Sequence, residues 1–306
     1  MDDMDGGEID ERRGGSGVRP QHLLLTLLGD YWYQREEPLP SGALVDLLAE
    51  FGISEQNARA AISRLNRRGL LESLRHGRAT RYRLSGQGSA TLAEGTDRIF
   101  GFGRTTLPWD GTWTCVSFSI PESLRSTRTT LRTRLRWLGF APVYDAAWFA
   151  PGDRADAAAG VISELEVKSA TIITGPIRDA GDGDPLRAWD LAELGSRYEA
   201  FICRFASLRD RIGRVGHTEA LTARTALIDE WRTFPGLDPE LPAELLPGGW
   251  PQKPAVDLFV AVYDALGPLA TRRVKEIIAR HDPQAAALAA HHTTQDVAPG
   301  AEPGRR

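Results

Sequence analysis

Arginines are concentrated in one short stretch of the chain, residues 54–83, where their side chains could bind a polyanion. Eight arginines occur there against two acidic residues, Glu55 and Glu72, a local net charge of +6, whereas the whole chain of 306 residues has a formal net charge of −4. Guanidinium groups form paired hydrogen bonds to phosphate oxygens, and a local excess of them is typical of nucleic-acid-binding surfaces. The spacing of the surrounding residues indicates that the polyanion is duplex DNA.

A helix able to enter a DNA groove is predicted directly after Ser54. Ser54 is a favoured N-cap, and Glu55 would lie at the positive end of the helix dipole. Apolar residues recur at helical spacing and form one stripe: Ala58, Ala61, Ile62 and Leu65. The other faces carry side chains that can reach base edges in the major groove: Gln56, Asn57, Arg59, Ser63, Arg64 and Arg67. Gly69 is expected to end the helix as a left-handed cap.

The residues after this helix predict a basic hairpin. Residues 70–74 and 79–84 read as two short strands around a tight glycine turn. Four arginines of the hairpin would lie near phosphates or the minor groove: Arg75, Arg78, Arg81 and Arg83. Contacts of this kind add affinity and salt dependence but carry little sequence information.

Two further helices are predicted upstream, and they complete a small DNA-binding domain. One spans about residues 20–32, and the other spans residues 42–51 after the N-cap Ser41. The link to the third helix is only residues 52–54, which is typical of a helix-turn-helix. The sequence therefore predicts an N-terminal winged helix-turn-helix domain with a connecting helix over residues 18–100. The alternatives are a solvated basic helix with an incidental hairpin and a winged helix that binds protein.

The middle of the chain, residues 109–180, predicts a ferredoxin-like α+β domain. Its elements follow the order strand, helix, strand, strand, helix, strand. The first helix is rich in arginine, at positions 125, 128, 132, 134 and 136. These arginines could form an accessory nucleic-acid face, although a solvated or dimer-facing helix is the favoured interpretation.

Residues 185–285 predict a mostly helical C-terminal domain, so the fold class as a whole is α+β and multidomain. Aromatic and arginine residues of this part could form a pocket for an aromatic or phosphate-bearing ligand: Arg187, Trp189, Arg197, Tyr198, Trp231 and Arg232. The alternative, favoured for any single tryptophan, is that these residues anchor the core of a helical domain.

Composition narrows the possible classes of protein. No apolar run approaches the roughly 20 residues of a membrane span, so no membrane partner is expected. Residues 1–17 and 286–306 are expected to be disordered tails, and the first of them lacks the layout of a secretory signal. Cys115 and Cys203 lie in apolar segments and are expected to be buried free thiols of a cytoplasmic protein. Histidines show no ligand spacing, so neither a metal nor a cofactor is predicted.

Several short motifs resemble one known family, the phenylacetic-acid catabolism repressors of the PaaX type. They include residues 51–54, 109–113, 134–140, 187–191, 230–235 and 241–247, in the order of the family. The resemblance implies a homodimeric transcriptional repressor with the three-part architecture described above. It also implies release from operator DNA by an aryl-acetyl-coenzyme A thioester, typically phenylacetyl-CoA, while an acyl-CoA with a different acyl group and other regulated genes are the alternative. The resemblance implies no particular ligand-binding residues.

An enzyme that processes nucleic acid is a further alternative, and the sequence disfavours it. Nucleases with a similar ferredoxin-like domain place an acidic residue at the end of the first strand. The corresponding residues here are Ser119, Ile120 and Pro121, and no catalytic triad, P-loop or paired metal site is recognisable. We therefore predict a protein without catalytic residues.

Overall fold

The computed structural model describes residues 19–77, 79–104, 108–178 and 184–297. The chain divides into two compact units. The first contains the described residues up to Leu92 together with Thr271–His291, and the second contains Ala93–Ala270 together with the residues from His292. The predicted tail of residues 1–17 lies outside the described residues.

The fold is a mixture of α-helices and two small antiparallel sheets. The helices are α1 (Pro20–Trp32), α2 (Ser41–Ala49), α3 (Glu55–Arg67), α4 (Gly86–Gly101), α5 (Arg125–Trp137), α6 (Ala155–Glu164), α7 (Leu191–Asp210), α8 (His217–Trp231), α9 (Phe234–Leu237), α10 (Gln252–Ala279) and α11 (Pro283–Leu288). The strands are β1 (Leu39–Pro40), β2 (Leu71–His76), β3 (Ala79–Leu84), β4 (Trp113–Phe118), β5 (Ala141–Tyr144), β6 (Ala147–Pro151) and β7 (Ala170–Gly175). Among the described residues, no helix combines the length and apolar character that crossing a membrane requires.

Helices α1, α2 and α3 pack on one another in the first unit. The predicted apolar stripe of α3 is confirmed, because Ala58, Ala61, Ile62 and Leu65 are all buried. The hydroxyl of Ser54 accepts a hydrogen bond from the backbone N–H of Asn57 at 3.4 Å, as expected of an N-cap. Gly69 adopts a φ of +73°, which lets the chain leave the helix through the left-handed region.

Strands β2 and β3 form an antiparallel hairpin behind α3, and β1 pairs with the outer side of β3. The connecting helix α4 follows at once, although three glycines near its start and middle weaken its helical propensity. Gly88 is explained by packing, because a Cβ at this position would lie 2.1 Å from the carbonyl oxygen of Leu70. A glycine is therefore needed where α4 passes Leu70, the residue directly before β2.

Residues near the C-terminus belong to this first unit. Arg273 on α10 forms a bidentate ion pair with Glu50, at 2.7 and 2.9 Å. The imidazole Nε2 of His281 lies 2.8 Å from a carboxylate oxygen of Asp46. Asp282 caps α11 and pairs with Arg81 of β3.

The expectation of a disordered tail from residue 286 differs from the structure over residues 286–297. Helix α11 continues to Leu288, and Ala286 and Ala289 are buried. In the second unit, the backbone N–H of Thr294 donates to Asp264 at 2.8 Å. Small side chains such as those of alanine can pack closely against a surface that other residues provide. Residues 298–306 lie outside the described residues.

The second unit contains the predicted ferredoxin-like domain. Its elements follow the order β4, α5, β5, β6, α6, β7, and the sheet has the strand order β5-β6-β4-β7 with antiparallel pairing throughout. Helices α5 and α6 contribute Leu131, Leu135 and Ala158 to a core formed with Val116 and Trp148 of the sheet. The predicted order of strands and helices is therefore present, and residues from both helices and from the sheet share one core.

Helices α7, α8 and α9 and most of α10 also belong to the second unit. The predicted helical domain of residues 185–285 does not coincide with this unit, because Thr271–His291 belongs to the first one. The expectation that Cys203 is buried is wrong, since its thiol is exposed. The buried side of α7 includes Phe201 and Phe205, and Cys203 lies between them in sequence and so on another face of the helix. Cys115 is half-buried.

Candidate DNA interface

The polar surface of α3 is the centre of the candidate interface. All six predicted contact residues of this helix are exposed: Gln56, Asn57, Arg59, Ser63, Arg64 and Arg67. Because the apolar stripe fixes the rotation of the helix, these side chains project away from the core. An exposed surface of amides and guanidinium groups has the donors and acceptors that read base edges in the major groove.

Ion pairs divide the arginines of α3 into two groups. Arg59 pairs with Glu55 one turn earlier at 2.7 Å, and both side chains are more than half exposed. An exposed pair of this kind contributes about 0.2–1 kcal/mol, so Arg59 can exchange it for a phosphate. Arg64 and Arg67 have no ion pair among the residues that the structure describes, so their guanidinium groups are available to an external anion.

The hairpin arginines differ from one another in the same way. Arg75 is exposed, and Arg83 forms a cross-strand pair with Glu72 at 2.9 Å, with both side chains partly exposed. Arg78 was also predicted to contact DNA, and it lies outside the described residues. Arg75 and Arg83 are therefore the described hairpin residues that can approach phosphates.

Arg81 makes contacts within the protein that the sequence did not predict. One of its terminal nitrogens donates to the carbonyl oxygen of Pro38 at 3.2 Å, and the other pairs with Asp282. The side chains of Arg81 and Asp282 are only 25% and 14% exposed. The pKa of Asp282 is lowered first by the backbone N–H of Ala285 and then by Arg81, so the carboxylate stays charged. These contacts indicate that Arg81 fixes the hairpin.

One basic residue at this surface was missing from the predicted contacts. Arg68 is exposed and occupies the C-cap of α3, directly after Arg67. The sequence already shows that Arg64, Arg67 and Arg68 lie close together near the end of the helix. Arg68 could therefore have been included in the predicted contacts on its charge and position alone.

The residues predicted to bind a ligand lie in different local surroundings. Tyr198 and Trp231 lie in an aromatic cluster, where each ring packs against Phe234 with centroid distances of 4.3 and 5.4 Å. Trp189 packs instead near Trp113, with centroids 6.3 Å apart. Two cavities among the described residues are lined by other residues, and one of them, of about 360 Å³, lies between α6 and β7.

The three arginines of this predicted ligand set lie on different elements and have different partners. Arg197 pairs with Glu193 at 2.8 Å, and Arg232 pairs with Asp229 at 2.7 Å. Arg187 is exposed on the short 3₁₀ turn before α7. The structure therefore supports the core-anchor interpretation for Tyr198 and Trp231, which are buried, and the six residues remain a predicted ligand set.

A buried polar group lies at the edge of the aromatic cluster. The hydroxyl of Tyr198 donates to Asp238 at 2.5 Å, and the side-chain amide of Gln252 donates to the same carboxylate at 3.1 Å. Burial raises the pKa of Asp238, and burial together with the neighbouring carboxylate raises the pKa of Tyr198. This network fixes the loop after α9, which the proline-rich sequence left irregular.

Fold and surface together define a multidomain α+β protein in which a basic helix and hairpin are joined to a ferredoxin-like sheet and a helical segment. Three family models match successive parts of the chain: "PaaX-like protein" over residues 19–88, "PaaX protein central Cas2-like domain" over residues 106–185 and "PaaX-like protein C-terminal domain" over residues 189–276. The chain therefore belongs to the PaaX family.

Individual relatives agree with this assignment. The chain is 30% identical over 266 residues to "Transcriptional repressor PaaX" of Escherichia coli (strain K12), which covers 83% of this chain and 82% of that protein. A solved structure, "Uncharacterized protein Rv0674 from Mycobacterium tuberculosis", is 24% identical and has a TM-score of 0.54 over 85% of this chain and 98% of that one. At this identity the second likeness concerns the fold alone.

Proposed function

We propose that this chain is a transcriptional repressor that binds duplex operator DNA through a winged helix-turn-helix. The exposed polar face of α3, with Arg64 and Arg67 unpaired among the described residues, is the observation that carries the proposal. These side chains can form bidentate contacts to guanine or charge-assisted contacts to phosphate. The repressor role is supported by the name of the related Escherichia coli protein.

The arrangement of the first unit supports the winged-helix interpretation. Helices α1, α2 and α3 are followed at once by the β2–β3 hairpin, and β1 adds a short third strand. In proteins of this kind, the third helix lies in the major groove while the hairpin contacts the backbone beside it. Arg75 and Arg83 are the described hairpin residues placed for the second role.

Family membership supports a proposal for the effector and for the assembly of the repressor. We propose that the chain is a homodimer that regulates genes of phenylacetate catabolism and leaves its operator when an aryl-acetyl-CoA thioester binds. Such release requires that the ligand bind the DNA-free conformation more tightly than the DNA-bound one. We assign the ligand site to no particular residues, because the six candidates have different local partners.

A gel-shift titration with the promoter region upstream of the chain's own gene tests DNA binding and release together. We expect salt-sensitive retardation of this fragment, and a loss of about 5- to 150-fold in affinity for Arg64→Ala, since a good base or phosphate contact contributes about 1–3 kcal/mol. Arg204→Ala is the matched control, because Arg204 is an exposed arginine of α7 that pairs with Glu230.

Phenylacetyl-CoA added to the same titration should release the fragment, whereas coenzyme A alone should not. Release by a different acyl-CoA would replace the proposed effector and leave the repressor role intact. Retardation that is equal for Arg64→Ala and the parent protein would contradict the proposed role of α3.

A further inference from the structure

Helix α5 of the ferredoxin-like domain carries five arginines and no acidic residue. Ion pairs with neighbouring elements engage two of them: Arg128 pairs with Glu122, and Arg134 pairs with Glu164 at 2.6 Å. No such partner is found among the described residues for the other three, Arg125, Arg132 and Arg136. The pairing therefore divides the arginines of α5 into a neutralised group and a group with free positive charge.

The three arginines with free charge lie on one side of the helix. Arg132 and Arg136 follow Arg125 by seven and eleven residues, and at about 100° per residue these positions fall within about 40° of one another. At a rise of about 1.5 Å per residue, the row is roughly 16 Å long. We call this row of Arg125, Arg132 and Arg136 the α5 stripe.

Two of the three arginines of the α5 stripe are partly held against the domain. The guanidinium carbon of Arg136 lies 5.2 Å from the centre of the Trp148 ring, a buried aromatic residue of β6. The Nε atom of Arg132 is buried and has no hydrogen-bond acceptor among the described residues. The side chain as a whole is half-buried, so the terminal nitrogens of Arg132, rather than its buried Nε, are the donors that an anion could reach.

The shape of the α5 stripe favours an extended anion. Small ligands usually bind in concave sites with apolar walls, and the cavity of about 360 Å³ in this domain is lined by α6 and β7. Three cations in a straight row on the side of an exposed helix instead match a polymer that carries regularly spaced negative charges. Duplex DNA carries one negative charge per about 1.7 Å of its axis.

We propose that the α5 stripe is a second DNA-contact surface, which binds phosphates of duplex DNA without reading their sequence. The proposal rests on the proposed function in one respect, that the chain binds duplex DNA at all. It adds a contact by the ferredoxin-like domain, in which arginines of the α5 stripe exchange their water and counter-ions for phosphate oxygens. Each phosphate contact of this kind increases the dependence of the binding constant on salt.

The test compares full-length variants with the parent protein in fluorescence titrations of a 30-base-pair duplex, at several salt concentrations between about 50 and 200 mM. The first variant combines Arg125→Gln, Arg132→Gln and Arg136→Gln. The matched control combines Arg204→Gln, Arg209→Gln and Arg211→Gln, which removes three charges from arginines of the α7 region that are all ion-paired. A second variant, Arg125→Gln with Arg136→Gln, changes only exposed residues and leaves the half-buried Arg132 in place.

We expect the slope of log K against log salt to become shallower by about two to three for the triple variant and by about two for the double variant. The control should keep the slope of the parent protein, and thermal unfolding should show that all variants are folded. Slopes equal to that of the control would overturn the proposal, as would a change in dimerisation with unchanged DNA binding, which would assign the α5 stripe to a second copy of the chain.

Arg64→Gln distinguishes this failure from failure of the proposed function. Loss of binding in Arg64→Gln with no effect of the α5 variants would retain the winged-helix repressor and reject the α5 stripe. A parent protein that binds no duplex, even at the lowest salt concentration, would reject both.

Discussion

Replacing Asp282 should destabilise the first unit, because this carboxylate holds the hairpin and begins α11 at the same time. Its oxygens accept from the backbone N–H groups of Gln284 and Ala285 at 2.9 and 3.0 Å, and they pair with Arg81. Asp282→Asn retains an effective N-cap and removes the charge, whereas Asp282→Ala removes both. The two substitutions therefore separate the ion pair from the cap.

The magnitude follows from the burial of the pair. A charge-assisted hydrogen bond contributes about 1.5–3 kcal/mol to the free energy of unfolding, and the remaining exposure of the two side chains lowers this to about 1–2 kcal/mol. The N-cap adds about 1 kcal/mol, so Asp282→Ala should cost about 2–3 kcal/mol. Because the pKa of Asp282 is lowered, its contribution is present at neutral pH and is lost as the pH falls below the ordinary value of 3.8.

Urea unfolding of the single variants Asp282→Asn and Arg81→Gln and of the double variant measures the coupling directly. We expect a coupling free energy of about 1–2 kcal/mol at pH 7, which decreases as the pH falls below 3.8 and through the lowered pKa of Asp282. Arg81→Gln should also reduce DNA affinity less than Arg64→Gln does, because the donors of Arg81 are engaged within the protein. A coupling below about 0.5 kcal/mol would refute the assignment of Arg81 as a residue that fixes the hairpin.

Three further predictions concern other parts of the chain. Gly88→Ala should lower the thermal unfolding midpoint, because the added Cβ would meet the carbonyl oxygen of Leu70. Gly95→Ala has open space around it and should be neutral or stabilising by up to about 1 kcal/mol. Equal effects of the two substitutions would contradict the packing argument. Folding raises the pKa of the Asp238 carboxyl, so the free energy of unfolding of the parent protein should fall as the pH rises above 3.8, and Asp238→Asn should remove this fall. Parallel pH profiles of the parent protein and the variant would contradict this prediction. A thiol reagent should label Cys203 of the native protein quickly and Cys115 slowly, and Cys203→Ser should abolish the fast phase.

Local patterns were sufficient to predict the elements that carry the candidate interface. The N-cap Ser54, the apolar stripe of α3 and the hairpin after Gly69 depend on residues within one or two turns of each other, and all are present. The order of strands and helices in the ferredoxin-like domain is likewise set by short-range periodicity. Predictions of this kind succeed where local propensity and tertiary packing agree.

Contacts between distant residues could not be predicted in the same way. Arg81 was assigned to DNA because of its charge and its place in the hairpin, but its partner Asp282 lies 201 residues further along the chain. Ordering of residues 286–297 similarly depends on surfaces contributed by earlier segments, as the hydrogen bond from Ala290 to Tyr31 shows. Only the folded chain shows which arginines are neutralised and which retain a free charge.

Footprinting of the chain's own promoter region tests the central claim most directly. The parent protein should protect a defined site, with half-sites about one helical turn or a multiple of it apart if the protein binds as a dimer. A variant that combines Arg64→Gln with Arg67→Gln should remain folded and lose this protection, because both residues lie on the exposed side of α3. Equal protection by that variant, or no protection by the parent protein at low salt, would contradict the account of α3 as the helix that binds operator DNA.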